Sequence, residues 1–150
     1  MLKSFRFLIT ASISSLLLLC SDGAYACSPA DDYDPKALPS LDDKYAVFFG
    51  RVQSVTEEEF EAVTTFRVLQ VWKGPKSESL TVATDDQASC GLGKTFFREG
   101  HYYLVYAYGE PRSPQLGTGL FSGTKQIVHA FGIWHAPPDL MVLGPGSPVR

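Results

Sequence analysis

Ala62-Val63-Thr64-Thr65-Phe66-Arg67-Val68-Leu69-Gln70-Val71-Trp72 decides the fold class. In an extended chain Val63, Thr65, Arg67, Leu69 and Val71 fall on one face, and Thr64, Phe66, Val68, Gln70 and Trp72 on the other. Successive side chains of a strand point to opposite faces, so this alternation predicts a strand. Lys73-Gly74-Pro75 then supplies a turn. Working outward, Tyr45 to Val55 is a second β-branched and aromatic run, with Gly50 at its centre predicting a bulge or sharp coil. The acidic Glu57 to Glu59 joins these two runs as a hairpin loop. Ser79 to Thr84 reads as a shorter strand, His101 to Tyr108 as an aromatic one announced by Arg98-Glu99-Gly100, and Leu116 to Phe121 as a fifth.

The expected strands are therefore 45–55, 62–73, 78–84, 101–108 and 115–121. Ser122 or Thr124 can cap a short helix over 123–131, because Ile127, Val128 and Phe131 fall at helical spacing and Gly132 can end it. Residues 28–44, rich in Asp, Pro and Ser, offer one or two short turns. The tail 133–150 reads as irregular apart from an apolar piece, Leu140 to Leu143. Five strands with short connections predict an all-β domain, a small antiparallel barrel or a sandwich. Among barrels the five-stranded OB-fold, with one or two short helices, fits best. Periodicity does not separate it from a sandwich.

The N-terminal end has a different character. Lys3 and Arg6 precede a mainly apolar, uncharged run from Phe7 to Leu19, followed by Ser21-Asp22-Gly23-Ala24-Tyr25-Ala26. A basic start, a short apolar centre and a terminal Ala-x-Ala are the layout of a secretory signal peptide over residues 1–26. The run is shorter than the ~20 residues a membrane-spanning helix needs. No stable membrane span is expected, and Cys27 becomes the first residue of a secreted protein, extracellular or periplasmic. Lipidation at a cysteine is the minor reading, since Cys27 lies several residues past the apolar run.

Removing Lys3, Arg6 and Asp22 changes the formal net charge from −3 to −4, which favours neither nucleic acid nor an anionic membrane as partner. Of the three cysteines, Cys20 leaves with the signal. Cys27 and Cys90 remain as an even pair in an oxidising compartment, and a disulfide between them is expected. Two thiols on a metal are the rival, without a neighbouring His or Cys to complete the set.

Nothing in the chain reads as an enzyme. His101 lies in an aromatic strand; His129 and His135 are six residues apart with no carboxylate or cysteine close in sequence. The serines lack a Gly-x-Ser-x-Gly setting, and Gly91-Leu92-Gly93-Lys94 is too short to cradle phosphate. No cofactor is implied. Phe48, Phe49, Phe66, Trp72, Tyr102, Tyr103, Tyr106 and Tyr108 could stack on bases, but an acidic chain lacks the electropositive groove this requires, so packing is the expected role.

The pattern has a resemblance. Cys27 at the first mature position is followed by Ala46-Val47-Phe48-Phe49-Gly50-Arg51-Val52 and Phe66-Arg67-Val68-Leu69-Gln70-Val71-Trp72-Lys73-Gly74. Then come Cys90-Gly91, Gly100-x-x-Tyr103-Leu104-Val105-Tyr106-Ala107 and Leu120-Phe121-Ser122-Gly123-Thr124. Over residues 27 to about 131 this is similar to the bacterial-type relatives of the tissue inhibitors of metalloproteinases. The resemblance implies a netrin-like domain, a five-stranded OB-fold barrel, over 27–132. It departs from the family at Pro29 and Phe121, where members commonly carry a second bonded cysteine pair.

What the resemblance implies is a metalloprotease inhibitor whose first residue chelates the target's catalytic zinc. On matching positions, Cys27 supplies its α-amine and carbonyl oxygen and Ser28 enters the specificity pocket. Pro29 adds a fixed φ and biases Ser28 to an extended form, suited to a protease cleft. The expected partner is a zinc metalloprotease or another exported protein; a non-inhibitory netrin-like interaction module is the alternative.

Overall fold

In the computed structural model, which describes residues 27–29, 34, 37–87, 90–110, 115–130 and 133–149, the long alternating runs pair as a hairpin. Strands β1 (Ala46–Glu57) and β2 (Glu61–Lys73) are antiparallel, and Glu58 N donates to Glu61 O at 2.8 Å across the turn. The register slips between Phe49 and Gly50, where the central glycine predicts a bulge. A Cβ on Gly50 would lie 3.0 Å from Arg67 O, so the strands approach there more closely than a side chain comfortably allows. Strand β3 (Ser79–Asp85) pairs antiparallel with β2, and β4 (Tyr102–Ala107) with the other edge of β1. The segment 1–26, expected to be a signal peptide, lies outside the described residues.

Beyond these four strands the expectations need correction. The fifth strand shrinks from 115–121 to β5 (Leu116–Gly117), because Thr118, Gly119 and Ser122 turn into loop contacts instead of continuing a ladder. It runs parallel to β3, so the sheet is not antiparallel throughout. A parallel neighbour needs a long crossover, and the chain between the two strands, which contains β4, provides it. Tyr108, just past β4, exchanges both backbone bonds with Gly117, at 2.8 and 2.9 Å.

The helix expected over 123–131 is a strand, β6 (Lys125–Ala130), antiparallel to β4. Ile127 is buried, 3% exposed, between exposed Gln126 and Val128, the latter at 47%. The open edge of β4 outweighs a helical spacing that rested on three apolar residues. Phe131 and Gly132 lie outside the described residues.

The tail expected to be irregular contains β7 (Ile133–His135) on β6, α1 (Asp139–Leu143) and β8 (Ser147–Pro148) on β2. The whole is an all-β, mixed eight-stranded sheet of order β5-β3-β2-β1-β4-β6-β7, with β8 joined to β2. The expected turns before β1 do form, with Ala37 N on Asp34 O and Lys44 N on Leu41 O.

Alternation sends the same strands into two apolar layers. Phe48, Val52, Phe66, Val68, Val82, Tyr103, Val105 and Leu116 form the larger. Phe66 meets Phe48, Phe97 and Tyr103 edge-on at 5.5, 5.1 and 6.3 Å, and the Tyr103 hydroxyl donates to Phe96 O. Val47, Leu104, Tyr106 and Ile127 form the second layer on the opposite face, where Leu140 and Leu143 of α1 cover them. Covering that face is the role of the tail, and it explains why β4 is buried on both sides.

A polar chain locks the cover down. Tyr106, 1% exposed, donates its hydroxyl to Asp139 Oδ2 at 2.9 Å, and Lys125 Nζ reaches the same oxygen at 2.8 Å. Burial, and then the carboxylate that accepts its proton, push the Tyr106 phenol well above its ordinary value. Burial raises Tyr103 as well. In the unfolded chain a phenol loses its proton near pH ~10, while both native phenols retain it, so the stability they contribute is complete below that pH and falls as pH rises above it. Tyr106→Phe should make alkaline unfolding less steep, as one of two such phenols disappears. It should also cost about 1–3 kcal/mol at neutral pH by removing a partner from buried Asp139. Urea midpoints measured from pH 7 to 11 would check both.

Candidate functional site

Residues 27–29 are brought to one end of the sheet by a covalent bond. Cys27 and Cys90 are joined with Cα atoms 5.4 Å apart, the pairing expected from the sequence. Cys90 adopts φ +64°, a left-handed conformation uncommon for a residue with a side chain. Its neighbour explains the sharp turn. A Cβ on Gly91 would lie 1.8 Å from Asp85 O, so no other residue fits without moving the backbone. The turn is satisfied from all sides: Gly91 N bonds Asp86 O, Gly93 N bonds Asp85 O, and Leu92 N is accepted by the buried Thr84 hydroxyl at 2.8 Å. Gly91→Ala should therefore destabilise the fold by about 3 kcal/mol, the upper end for overpacking, readable as a lower urea midpoint.

Two more segments meet the loop that carries Cys90. The tip of the β1–β2 hairpin is tied to it by Asp86 N on Phe60 O. Lys94 reinforces this contact, with its ammonium on the carbonyls of Glu58 and Glu59. Leu120 N donates to Cys90 O at 2.9 Å, bringing in the segment before β6. Gln115 reaches Glu61 of the hairpin. Ser28 and Pro29 are exposed beside this assembly, and it carries two large apolar residues in the open, Phe60 at 69% and Leu120 at 49% exposure. Neither was singled out from sequence. The available signal was a lone aromatic inside an acidic hairpin loop.

The segment 118–124 has a hydroxyl clasp. Tyr106 N donates to Thr124 Oγ1, Thr118 Oγ1 lies 2.8 Å from Thr124 Oγ1 and 2.9 Å from Ser122 Oγ, and Ser122 Oγ also accepts from Thr124 N. All three side chains are buried. Phe121 occupies the place where the resemblance would put a cysteine, and this clasp fixes the same loop to β4 without one.

The three histidines do not all converge: His101 and His129 border one cavity, and His135 does not line it. His101 precedes β4, exposed, with Nδ1 3.1 Å from Glu99 O. His129 pairs across the β6–β7 ladder with Trp134 and His135 with Val128, so the two imidazoles fall on opposite faces. Among the described residues no group of three or more His, Cys, Asp or Glu is placed to hold a metal ion. The aromatics divide between packing layers: Phe48, Phe66, Tyr103 and Tyr106 are buried, Phe49, Trp72 and Tyr102 are partly buried on the second face, and Tyr108 lies under Lys44 Nζ at 4.3 Å. Among the described residues no helix is long and apolar enough to cross a membrane. No protein-family model matches the chain, and a search of curated proteins finds no match.

Proposed function

We propose that the mature protein is a secreted inhibitor of zinc metalloproteases, acting through the amine and carbonyl of Cys27 once the bond to Ala26 has been cut. The observation that carries this reading is the tether: Cys27 is bonded to Cys90, and Ser28 and Pro29 stand exposed next to it. A catalytic zinc with three protein ligands keeps an open position held by water. An α-amine with a reference pKa near ~8 can lose its proton to such a cation at neutral pH. The sulfur, spent in the disulfide, stays off the metal and holds the terminus. Ser28, extended by the following proline, fills the specificity pocket.

Exposed Phe60 and Leu120 flank the tether through their bonds to its loop, which supports a composite surface resting on the rim of a cleft. The connection β1-β2-β3-β5-β4, with Tyr108 and Gly117 bridging the last step and β4 paired back to β1, supports the five-stranded OB-type, netrin-like barrel as the frame. The β6–β7 hairpin and α1 are then additions to it. The test is inhibition of a panel of exported zinc metalloproteases by protein whose first residue is Cys27. Failure against every member, with N-terminal sequencing proving a free Cys27 amine, would leave an interaction module stapled by a structural disulfide.

A further inference from the structure

The second face carries a site that the inhibitor reading does not use. Pairing between β4 and β6 ends at Tyr102 and Ile127, and beyond that rung the two chains border a cavity of about 420 Å³, within the roughly 300–1,000 Å³ of small-molecule sites. Five of its eight lining residues bear a side-chain donor or acceptor: Glu99, His101, Tyr102, Gln126 and His129. On the other side of Ile127, which lines both, lies a smaller cavity of about 180 Å³ walled by Phe49, Trp72, Trp134 and Leu140, with Gln70 as its amide.

Trp134 lines the smaller cavity and touches His129, which lines the larger. Its ring is held edge-on to Tyr102 at 4.8 Å and to Phe49 at 6.0 Å, and tilted against His129 at 4.6 Å. It is nevertheless 45% exposed. A fixed, half-exposed indole in the apolar cavity, in contact with a histidine of the polar one, matches a ligand that carries both kinds of surface.

We infer that this pair of cavities is an oligosaccharide-binding site, with the C–H face of one sugar ring on Trp134 in the smaller cavity and the hydroxyls of the adjoining ring on Glu99, His101, Gln126 and His129 in the larger. The donor set suits alcohols: a carboxylate accepts from two neighbouring hydroxyls, while an amide and a neutral imidazole each donate and accept. Other ligand classes fit less well. A nucleic acid or anionic membrane would need cations, but the net charge is −3 and the guanidinium of Arg51 is engaged with Gly100 O and the Tyr102 ring. An apolar peptide face would strand the polar groups of the larger cavity, at a desolvation cost. The amide and rings of the smaller cavity would take an N-acyl substituent.

Titration of the mature protein with chitotetraose and with cellotetraose, followed by calorimetry and tryptophan fluorescence, tests the site. Saturable binding is expected for chitotetraose and weaker binding for cellotetraose, which has a hydroxyl in place of each acetamido group. Trp134→Ala should weaken it about tenfold or more, as should His129→Ala with Gln126→Ala, one lost contact of ~1.4 kcal/mol being worth that factor. The double variant leaves Phe49, Tyr102 and Trp134 in place and decides the matter if Trp134→Ala melts early. An alanine added before Cys27 should change nothing here, so this result and the inhibitor result stand or fall separately. Absence of binding to both oligosaccharides at millimolar concentration would overturn the assignment, as would binding indifferent to both variants. Capture of a protein partner through Trp134 with no saccharide binding would give the face to that partner instead.

Discussion

One alanine placed ahead of Cys27 is expected to abolish metalloprotease inhibition while leaving the thermal unfolding of the protein unchanged. The added residue converts a free amine into an amide, and an amide nitrogen has no lone pair to give to zinc. It also pushes a side chain into the position that the metal would occupy. Acetylation of the amine should act in the same way without lengthening the chain. The loss should greatly exceed the roughly tenfold associated with one ordinary hydrogen bond, because a metal ligand disappears and the carbonyl loses its chelate partner. The fold should not respond, since the residues that hold this end together are Cys90, Gly91, Asp86 and Leu120. Ser28→Gly keeps both zinc ligands and removes the pocket contact, so it should reorder preference among proteases and spare inhibition as such. Inhibition constants for the four proteins against one panel of zinc proteases give the comparison. Undiminished inhibition by the extended protein would mean that the terminus is not what reaches the metal.

The four central strands were legible, 62–73 from its strict alternation and the others from β-branched and aromatic composition between turn signals, and Gly50 was legible as a bulge because a glycine interrupts one of those runs. Misreading begins where elements are short. Ile127, Val128 and Phe131 suit a helix by spacing and a strand by β-branching, and only the unpaired edge of β4, a long-range fact, decides between them. The tail offered one local hint, the apolar Leu140 to Leu143, which does become most of α1. Its purpose lay in what it covers. Val47, Leu104 and Tyr106 point away from the main core, and the alternation that places them there does not say which later segment shields them. Asp139 is the sharpest example: nothing local marks it as a buried acid, because its partners Tyr106 and Lys125 come from two other strands. At the candidate site, the cysteine pairing followed from parity and compartment, whereas Phe60 and Leu120 became visible only once the loops were brought together.

Replacing both cysteines, Cys27→Ser with Cys90→Ser, should cost about 4 kcal/mol, because the bond closes a loop across a separation of 63 residues and the unfolded chain regains that freedom. For a domain of this size that corresponds to a fall in melting temperature of more than about 10 °C. Both must be changed together: a lone Cys27 thiolate beside the free amine would itself be a good zinc ligand and would mask the effect. The sheet should remain folded, since the β1–β2 hairpin, the two apolar layers and the Tyr106–Asp139–Lys125 chain do not depend on the bond. Inhibition should nevertheless weaken more than stability alone requires. A tethered terminus meets the zinc already ordered, while a free one must give up its conformational entropy on binding, at roughly 1–2 kcal/mol per residue fixed. With residues 27–29 to be ordered again, the inhibition constant should rise by about two orders of magnitude or more even at temperatures where the variant is fully folded. Melting curves and inhibition constants on the same samples separate the two effects. An unchanged inhibition constant in a folded double variant would mean that the disulfide serves the sheet and not the terminus.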